Sequence, residues 1–309
     1  MEGLKENKYP EASADFQTTV SMTAVDPAAR KVIAIVGVGL IGGSLALRLH
    51  EKKLSSRLIG VEVSEEHART AIELELVDEI LPLKEAIDRS DVIILAIPVD
   101  KMVTLLPFIM NQVDRQIVLD LGSTKRQLIE AITNHPKRGR YVATHPMWGT
   151  EYSGPQAAVH GAYENKAVIL CNAKESDSDA LDWVRNMYKK IGMHLLEMDA
   201  KSHDLHAAYV SHISHITSFA LANTVLEKEK EENAIFEMAS AGFESTVRLA
   251  KSNAAMWVPI FMQNKVHVLD VLNEHIAQLG RFRDSIESGD DDYLKSLIEH
   301  ANMIRKIIQ

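Results

Sequence analysis

A single cysteine, Cys171, leaves no partner for a disulfide within the chain. That points to a reducing compartment, and a cytoplasmic protein is expected. The apolar run around Cys171 makes it a small core residue. No segment has the uncharged apolar length of a membrane span. Residues 1–29 are polar and lack the apolar stretch of a secretory signal, so they read as a loosely docked arm. Basic residues are in the minority: 34 Lys and Arg against 43 Asp and Glu give a net charge of −9. A broad surface for nucleic acid or an anionic membrane is thereby disfavoured. No internal repeat of solenoid period is visible. What remains is an ordinary globular composition, 46% apolar and 25% charged, over 309 residues, a length that suits two domains.

The first half carries the signals of a nucleotide-binding domain. Lys31 to Val36, KVIAIV, is β-branched and apolar on both faces, as a central parallel strand must be. It runs into Gly37-Val38-Gly39-Leu40-Ile41-Gly42 and then a helical pattern from Gly43 to Lys53. Gly37 would permit a tight turn, Gly39 a close approach of backbone to pyrophosphate, and Gly42 close packing of helix on strand. The free N–H groups at the helix start, around Leu40 and Ile41, suit phosphate oxygens. A second strand, Arg57 to Val63, delivers Glu62 at the distance expected of the carboxylate that binds ribose hydroxyls and repels a 2′-phosphate, so NAD is expected rather than NADP.

Further strands are predicted over Asp91–Pro98, Gln116–Leu121, Arg140–Thr144, Lys166–Cys171 and Met193–Met198. Between them lie a helix over Val99–Val113 with Pro107 as a kink or break, and a helix over Ser123–Thr133 in which Thr124 and Gln127 fit a capping box. The alternation predicts an α/β, Rossmann-like, doubly wound and mostly parallel sheet. Ligands bind beyond the carboxyl ends of such strands. Gly37, Ile97, Pro98, Ser123 and His145 fall at those ends and should line one cleft. In THPMWGTEYSGP, Thr144 to Pro155, a strand ends by presenting His145 on a turn-rich loop.

Strand signals stop near Asp199. The organisation expected is an arm over 1–29, a dinucleotide-binding domain over 30–199 and an all-helical domain over 200–309. Helical patterns cover His203–Glu229, Asn233–Ser252, Ala254–Ser288 (which contains Pro259) and Asp291–Ile308. So short an apolar-rich helical half buries little alone, and a homodimer through it is expected. His203, His206, His212 and His215 lie in one helical stretch. At about 100° per residue the first pair and the second pair point away from each other, no cysteine joins them and no HExxH is present, so no metal site is expected. SHISH, Ser211 to His215, forms a polar face in an apolar helix and suits a cleft wall. Arg248 in GFESTVRLA suits an anion.

IVGVGLIGGSLA, DLGSTK, THPMWGTEYSGP, HDLHAAYVSHISH and GFESTVRLA occur in an order and at spacings that resemble the prephenate and arogenate dehydrogenases of tyrosine biosynthesis, over about residues 31 to 305. That resemblance implies NAD-dependent oxidative decarboxylation of prephenate to 4-hydroxyphenylpyruvate. Hydride leaves the hydroxyl-bearing ring carbon, carbon dioxide departs and the ring becomes aromatic. It further implies that His145 accepts from the ring hydroxyl and that Ser123 bonds the same hydroxyl or the imidazole. Arg248 would bind a substrate carboxylate, with His212 and His215 lining the pocket and Thr150 and Glu151 touching substrate or pairing with Arg248. Many relatives carry a small residue where Trp148 stands here, so its ring either narrows the pocket or packs beneath the loop. Arogenate, which has an amino group where prephenate has a keto group, is the alternative substrate. A 3-hydroxyacid dehydrogenase, a pyrroline-carboxylate reductase or a non-catalytic NAD sensor would share the fold but has no use for the His145 loop.

Overall fold

The computed structural model describes residues 30–232 and 234–307; the predicted arm, 1–29, lies outside the described residues. Eight strands form one sheet: β1 (Lys31–Val36), β2 (Ser55–Val61), β3 (Glu79–Ile80), β4 (Val92–Leu95), β5 (Ile117–Asp120), β6 (Tyr141–Pro146), β7 (Ala167–Cys171) and β8 (His194–Met198). Their spatial order is β3-β2-β1-β4-β5-β6-β7-β8. The first six are parallel, β7 runs antiparallel to β6, and β8 is parallel to β7. The order reverses between β1 and β4, the switch point at which a doubly wound sheet opens a crevice. Buried Val, Ile and Leu dominate both faces of β1, β4 and β5, and each fully buried aliphatic side chain stabilises the sheet by roughly 1.5–3 kcal/mol.

Seven helices belong to the connections and the start of the second half: α1 (Leu40–Glu51), α2 (Glu65–Glu73), α3 (Leu83–Arg89), α4 (Val99–Gln112), α5 (Arg126–Glu130), α6 (Ser178–Lys190) and α7 (Ala200–Ala207). Then come α8 (Ile213–Glu229), α9 (Ala241–Val247), α10 (Ala254–Gln263), α11 (Lys265–Ser288) and α12 (Asp291–Ala301).

Several expectations need correction. The helix expected over Ser123–Thr133 is only Arg126–Glu130, and no capping box forms. The Thr124 hydroxyl instead donates to Gln263 Oε1 at 2.6 Å, and the amides of Lys125 and Arg126 donate to the Asp204 carboxylate at 2.8 and 3.0 Å. A carboxylate from α7 thus does the work that a local cap was expected to do. Helix α4 runs on through Pro107 without a break. The strand expected over Asp91–Pro98 ends at Leu95, which leaves Ile97 and Pro98 in the turn before α4. β3, two residues long, carries no sequence signal. The single helix expected over His203–Glu229 is interrupted by a π turn at Ala208–His212. A π turn takes more residues than an α turn, so it resets which side chains face inward.

Beneath the carboxyl end of the sheet lies a fully buried ion pair between Lys125 and Asp120. The Asp120 carboxylate also accepts from Tyr141 Oη at 2.7 Å, Thr144 N at 3.2 Å and Gly122 N at 2.9 Å. Lys125 Nζ also donates to the Thr144 carbonyl at 2.7 Å. The pair therefore joins β5, the turn after it and the end of β6, the strand that carries His145. Removing one partner leaves a charge with no counterpart in the interior. Lys125→Ala should cost about 3–5 kcal/mol in denaturant unfolding, and Asp120→Asn/Lys125→Met should recover part of that loss. A Lys125→Ala protein as stable as the wild type would contradict this account.

Candidate active site

The turn after β1 has the features a dinucleotide requires. Gly37 sits at φ +93°, and a Cβ there would come within 2.6 Å of the Ala96 carbonyl and 2.7 Å of Ile97 Cγ2. A Cβ on Gly42 would collide with the Gly37 carbonyl at 2.1 Å. Gly39, by contrast, has nothing within 4 Å of its Cβ position, so space stands open in front of it. Gly39 is the N-cap of α1 and supplies no side-chain cap, which leaves the N–H groups of the first turn, from Leu40 and Ile41 onward, free. Glu62 lies just past β2 and takes the amides of Val38 at 3.3 Å, Val63 at 2.8 Å and Ser64 at 3.1 Å. These contacts hold its carboxylate at the mouth of the glycine turn. Ile97 and Pro98 lie in the turn between β4 and α4, with Ile97 against Gly37.

His145 stands near the end of β6, paired across the ladder with Ile169 of β7. It is 8% exposed. Its Nδ1 lies 2.8 Å from His203 Nε2, and His203 Nδ1 lies 2.8 Å from Asp204 Oδ1. His203 and Asp204 are themselves buried on α7. Burial pushes the His145 pKa well below 6.5, and the neighbouring His203, Lys125 and His212 act in the same direction. Burial also lowers His203, against the pull of Asp204. For Asp204, burial acts upward, but the His203 bond and the Lys125 and Arg126 amides outweigh it and hold the pKa below the usual carboxylate range. The site is thus two neutral imidazoles in line with an anion.

His203 and His212 do not point apart, as an unbroken helix would have required, while His206 stays exposed. The π turn brings His212 onto the network of His203: Asn264, at the α10–α11 junction, donates through Nδ2 to the Asp204 carbonyl at 2.6 Å and lies 3.2 Å from His212 Nδ1. Buried against Trp257 and Phe261, His212 has its pKa driven down to about 4, chiefly by burial. His215 stacks on Trp257 with ring centroids 3.5 Å apart, and its Nδ1 bonds the Ser211 carbonyl at 3.2 Å. Burial lowers its pKa as well.

The other expected residues fall out as follows. Arg248 opens a short 3-10 turn after α9 and pairs with Glu151 at 2.8 Å, linking the His145 loop to the helical half. Its side chain is 51% exposed and that of Glu151 12% exposed, so the cation keeps an open side. Thr150 Oγ1 accepts from Tyr152 N at 3.3 Å and shapes the same loop. Ser123 sits in the turn between β5 and α5, half-buried. No hydrogen bond joins it to His145 among the described residues; of the two ring nitrogens of His145, Nδ1 is taken by His203. Trp148 packs edge-on against Tyr163 at 5.1 Å and against the core below, so it lies under the loop. His203, Asp204 and Asn264 were not singled out as a unit from sequence. The one local hint is the adjacency of His203 and Asp204.

Two regions of the chain match known families: residues 45–197 match "Prephenate dehydrogenase, nucleotide-binding domain" and residues 199–300 match "Prephenate dehydrogenase, dimerization domain". The prephenate dehydrogenase of Bacillus subtilis (strain 168) is 31% identical over 86% of this chain and 72% of its own length. The cyclohexadienyl dehydrogenase of Zymomonas mobilis is 30% identical over 89% of this chain and 94% of its own. Among solved structures, Aquifex aeolicus prephenate dehydrogenase in complex with hydroxyphenyl propionate and NAD+ superposes with a TM-score of 0.83 at 28% identity, covering 91% of this chain and 99% of that one. Synechocystis arogenate dehydrogenase, at 24% identity and a TM-score of 0.72, covers 90% of this chain and all of that one (100%), and shares the fold. With both halves matched in order, the chain belongs to the prephenate dehydrogenase family of oxidoreductases.

Proposed function

We propose that this protein catalyses the NAD-dependent oxidative decarboxylation of prephenate to 4-hydroxyphenylpyruvate. The observation that carries the reading is a buried, neutral imidazole, His145, at the carboxyl edge of a dinucleotide-type sheet, with one ring nitrogen already occupied by His203. Only its Nε2 remains for a ligand, and a neutral imidazole can accept there. The cofactor fit rests on the open face of Gly39, the uncapped start of α1 and the carboxylate of Glu62. NAD, when bound, supplies the hydride acceptor. Membership of the family and the likeness to the NAD+-bound Aquifex enzyme support the same cofactor here.

The chain's own groups then divide the work. His145 accepts the hydrogen bond of the ring hydroxyl and shares its proton while the hydroxyl-bearing carbon gives up hydride and its C–O bond gains carbonyl character. The electron pair of the C–C bond to the ring carboxylate moves into the ring as carbon dioxide leaves. The oxygen then takes the proton back as the phenol. Arg248, held by Glu151 but open on one side, can exchange that partner for a substrate carboxylate. His212 and His215 wall the cleft as neutral rings, and Ser123 stays free to bond the hydroxyl.

The helical half supplies the second part of the proposal, a homodimer. Val266, Leu269, Ile276, Leu279 and Ile286 of α11 are all exposed, and their spacing places them on one side of the helix. A second copy would cover them, in keeping with the dimerization domain of the family. Among the described residues no helix is long and apolar enough to cross a membrane.

Incubation with NAD and either prephenate or arogenate, followed by NADH formation, tests the activity directly: turnover of prephenate is expected, and turnover of arogenate alone would make the amino acid the substrate. His145→Asn should lower kcat by about 10²–10⁴-fold with little change in NAD affinity. Arg248→Ala should mainly raise the KM for substrate; a variant with wild-type KM would take Arg248 out of the pocket. Titration of both cofactors should show tighter NAD binding, with the preference reduced in Glu62→Ala; tighter NADP binding by the wild type would overturn the Glu62 assignment. Sedimentation at micromolar concentration should show a species of twice the chain mass, and a stable monomer would contradict the α11 interface.

A further inference from the structure

The row His145–His203–Asp204 sets a direction for its protons. Asp204 accepts from three N–H groups: Lys125 N, Arg126 N and the His203 ring. An anion held in this way only accepts, so the proton on that contact belongs to His203 Nδ1. A neutral His203 then has a lone pair on Nε2 and accepts there. The proton of the 2.8 Å contact between the rings must therefore sit on His145 Nδ1. That leaves the lone pair of His145 on Nε2, the nitrogen with no protein partner among the described residues.

The alternative state shows what the row prevents. A doubly protonated His203 would donate through Nε2, and His145 would carry its proton on Nε2 and become a donor toward the cleft. The groups facing the two rings oppose that charge. Lys125, buried against Asp120 and the Thr144 carbonyl, is a fixed cation nearby, and His212 adds to it; Asp120 and Asp204 act the other way. Burial of both rings decides the balance in favour of the neutral pair.

We propose that His203 and Asp204 are positioning residues for this reaction, which hold His145 in the tautomer whose Nε2 accepts the substrate hydroxyl. The proposal rests on the reading of His145 as acceptor and adds what makes it one. The row also fixes the ring plane, since the Nδ1 bond leaves the imidazole no free rotation. Asn264 secures the far end by donating to the Asp204 carbonyl.

Two measurements decide it. In histidine-¹⁵N spectra of the NAD-bound wild type at neutral pH, with His145 assigned by its loss in His145→Asn, the proton should be found on Nδ1 and Nε2 should be bare. A proton on Nε2 would overturn the proposal without recourse to any variant. In kinetics, His203→Leu removes the acceptor and should lower kcat by about 10²-fold while NAD affinity and substrate KM stay close to wild type. His203→Gln, whose amide oxygen can take the place of Nε2, should recover most of that loss. Wild-type turnover in His203→Leu, or no recovery in a His203→Gln protein that binds NAD and melts normally, would also overturn it. Full turnover in His145→Asn would remove the acceptor itself. Loss in His145→Asn beside wild-type turnover in His203→Leu would remove only the positioning pair. Should either His203 variant fail to fold, the tautomer of the wild type decides alone.

Discussion

One buried carboxylate ties the molecule together at the point where its chemistry is proposed to occur. Asp204 is 3% exposed and sits on the first helix after the sheet. It receives the amides of Lys125 and Arg126, which fixes the turn that carries Ser123, and it receives His203, which in turn orients His145. Its backbone carbonyl receives Asn264 from the α10–α11 junction. Three other parts of the chain, the β5–α5 turn, the end of β6 through His203, and the α10–α11 junction, therefore take their position from one residue. The cost of burying a carboxylate is offset because both oxygens accept, Oδ1 from Lys125 N and the His203 ring and Oδ2 from Arg126 N, the condition under which a buried charge is tolerated.

The Asp120–Lys125 pair lies one layer deeper and shares the same turn. It anchors the end of β6 through the Thr144 amide and carbonyl, and so holds the residue next to His145 from below. Its electrostatic role is as important as its mechanical one. Lys125 is a cation that cannot move away from two buried imidazoles, and it disfavours their protonation. The result is a group of three buried, uncharged rings, His145, His203 and His212, behind the proposed cleft. Of these rings only His145 keeps an acceptor, Nε2, for a ligand, and it offers that acceptor without carrying charge of its own, as the proposed hydride transfer and loss of carbon dioxide require.

The helical half has a different character. One apolar contact with the sheet domain is the small cluster of Val99 with Trp257 and Ile260, backed by Phe219 and Phe261. Beyond that cluster, α11 turns apolar side chains to solvent. Trp257 belongs both to this cluster and to the stack with His215, so the packing that holds the halves together also sets the pose of a proposed substrate-cleft residue.

Much of the fold was legible in the sequence because it is written in local patterns. β-branched apolar runs marked seven of the eight strands, and the glycine turn with Glu62 announced the nucleotide end, since positive φ and close backbone approach demand glycine wherever they occur. The alternation of strand and helix implied a mostly parallel sheet because a helical crossover returns the chain to the same end of the sheet; β7, antiparallel to β6, is the exception. The Glu151–Arg248 pairing was legible only through resemblance to a family. What the sequence could not disclose depended on contacts between residues far apart in the chain. The cap of α5 comes from Asp204 rather than from Thr124, because a carboxylate on α7 reaches two free amides that no local side chain meets. The π turn at Ala208–His212 changed which histidines share a face, and a wheel drawn at constant pitch has no means of registering an extra residue. Sequence determined that an imidazole would stand at the carboxyl edge of the sheet; only the tertiary structure decided which of its nitrogens remains open, because that follows from the partner packed behind it.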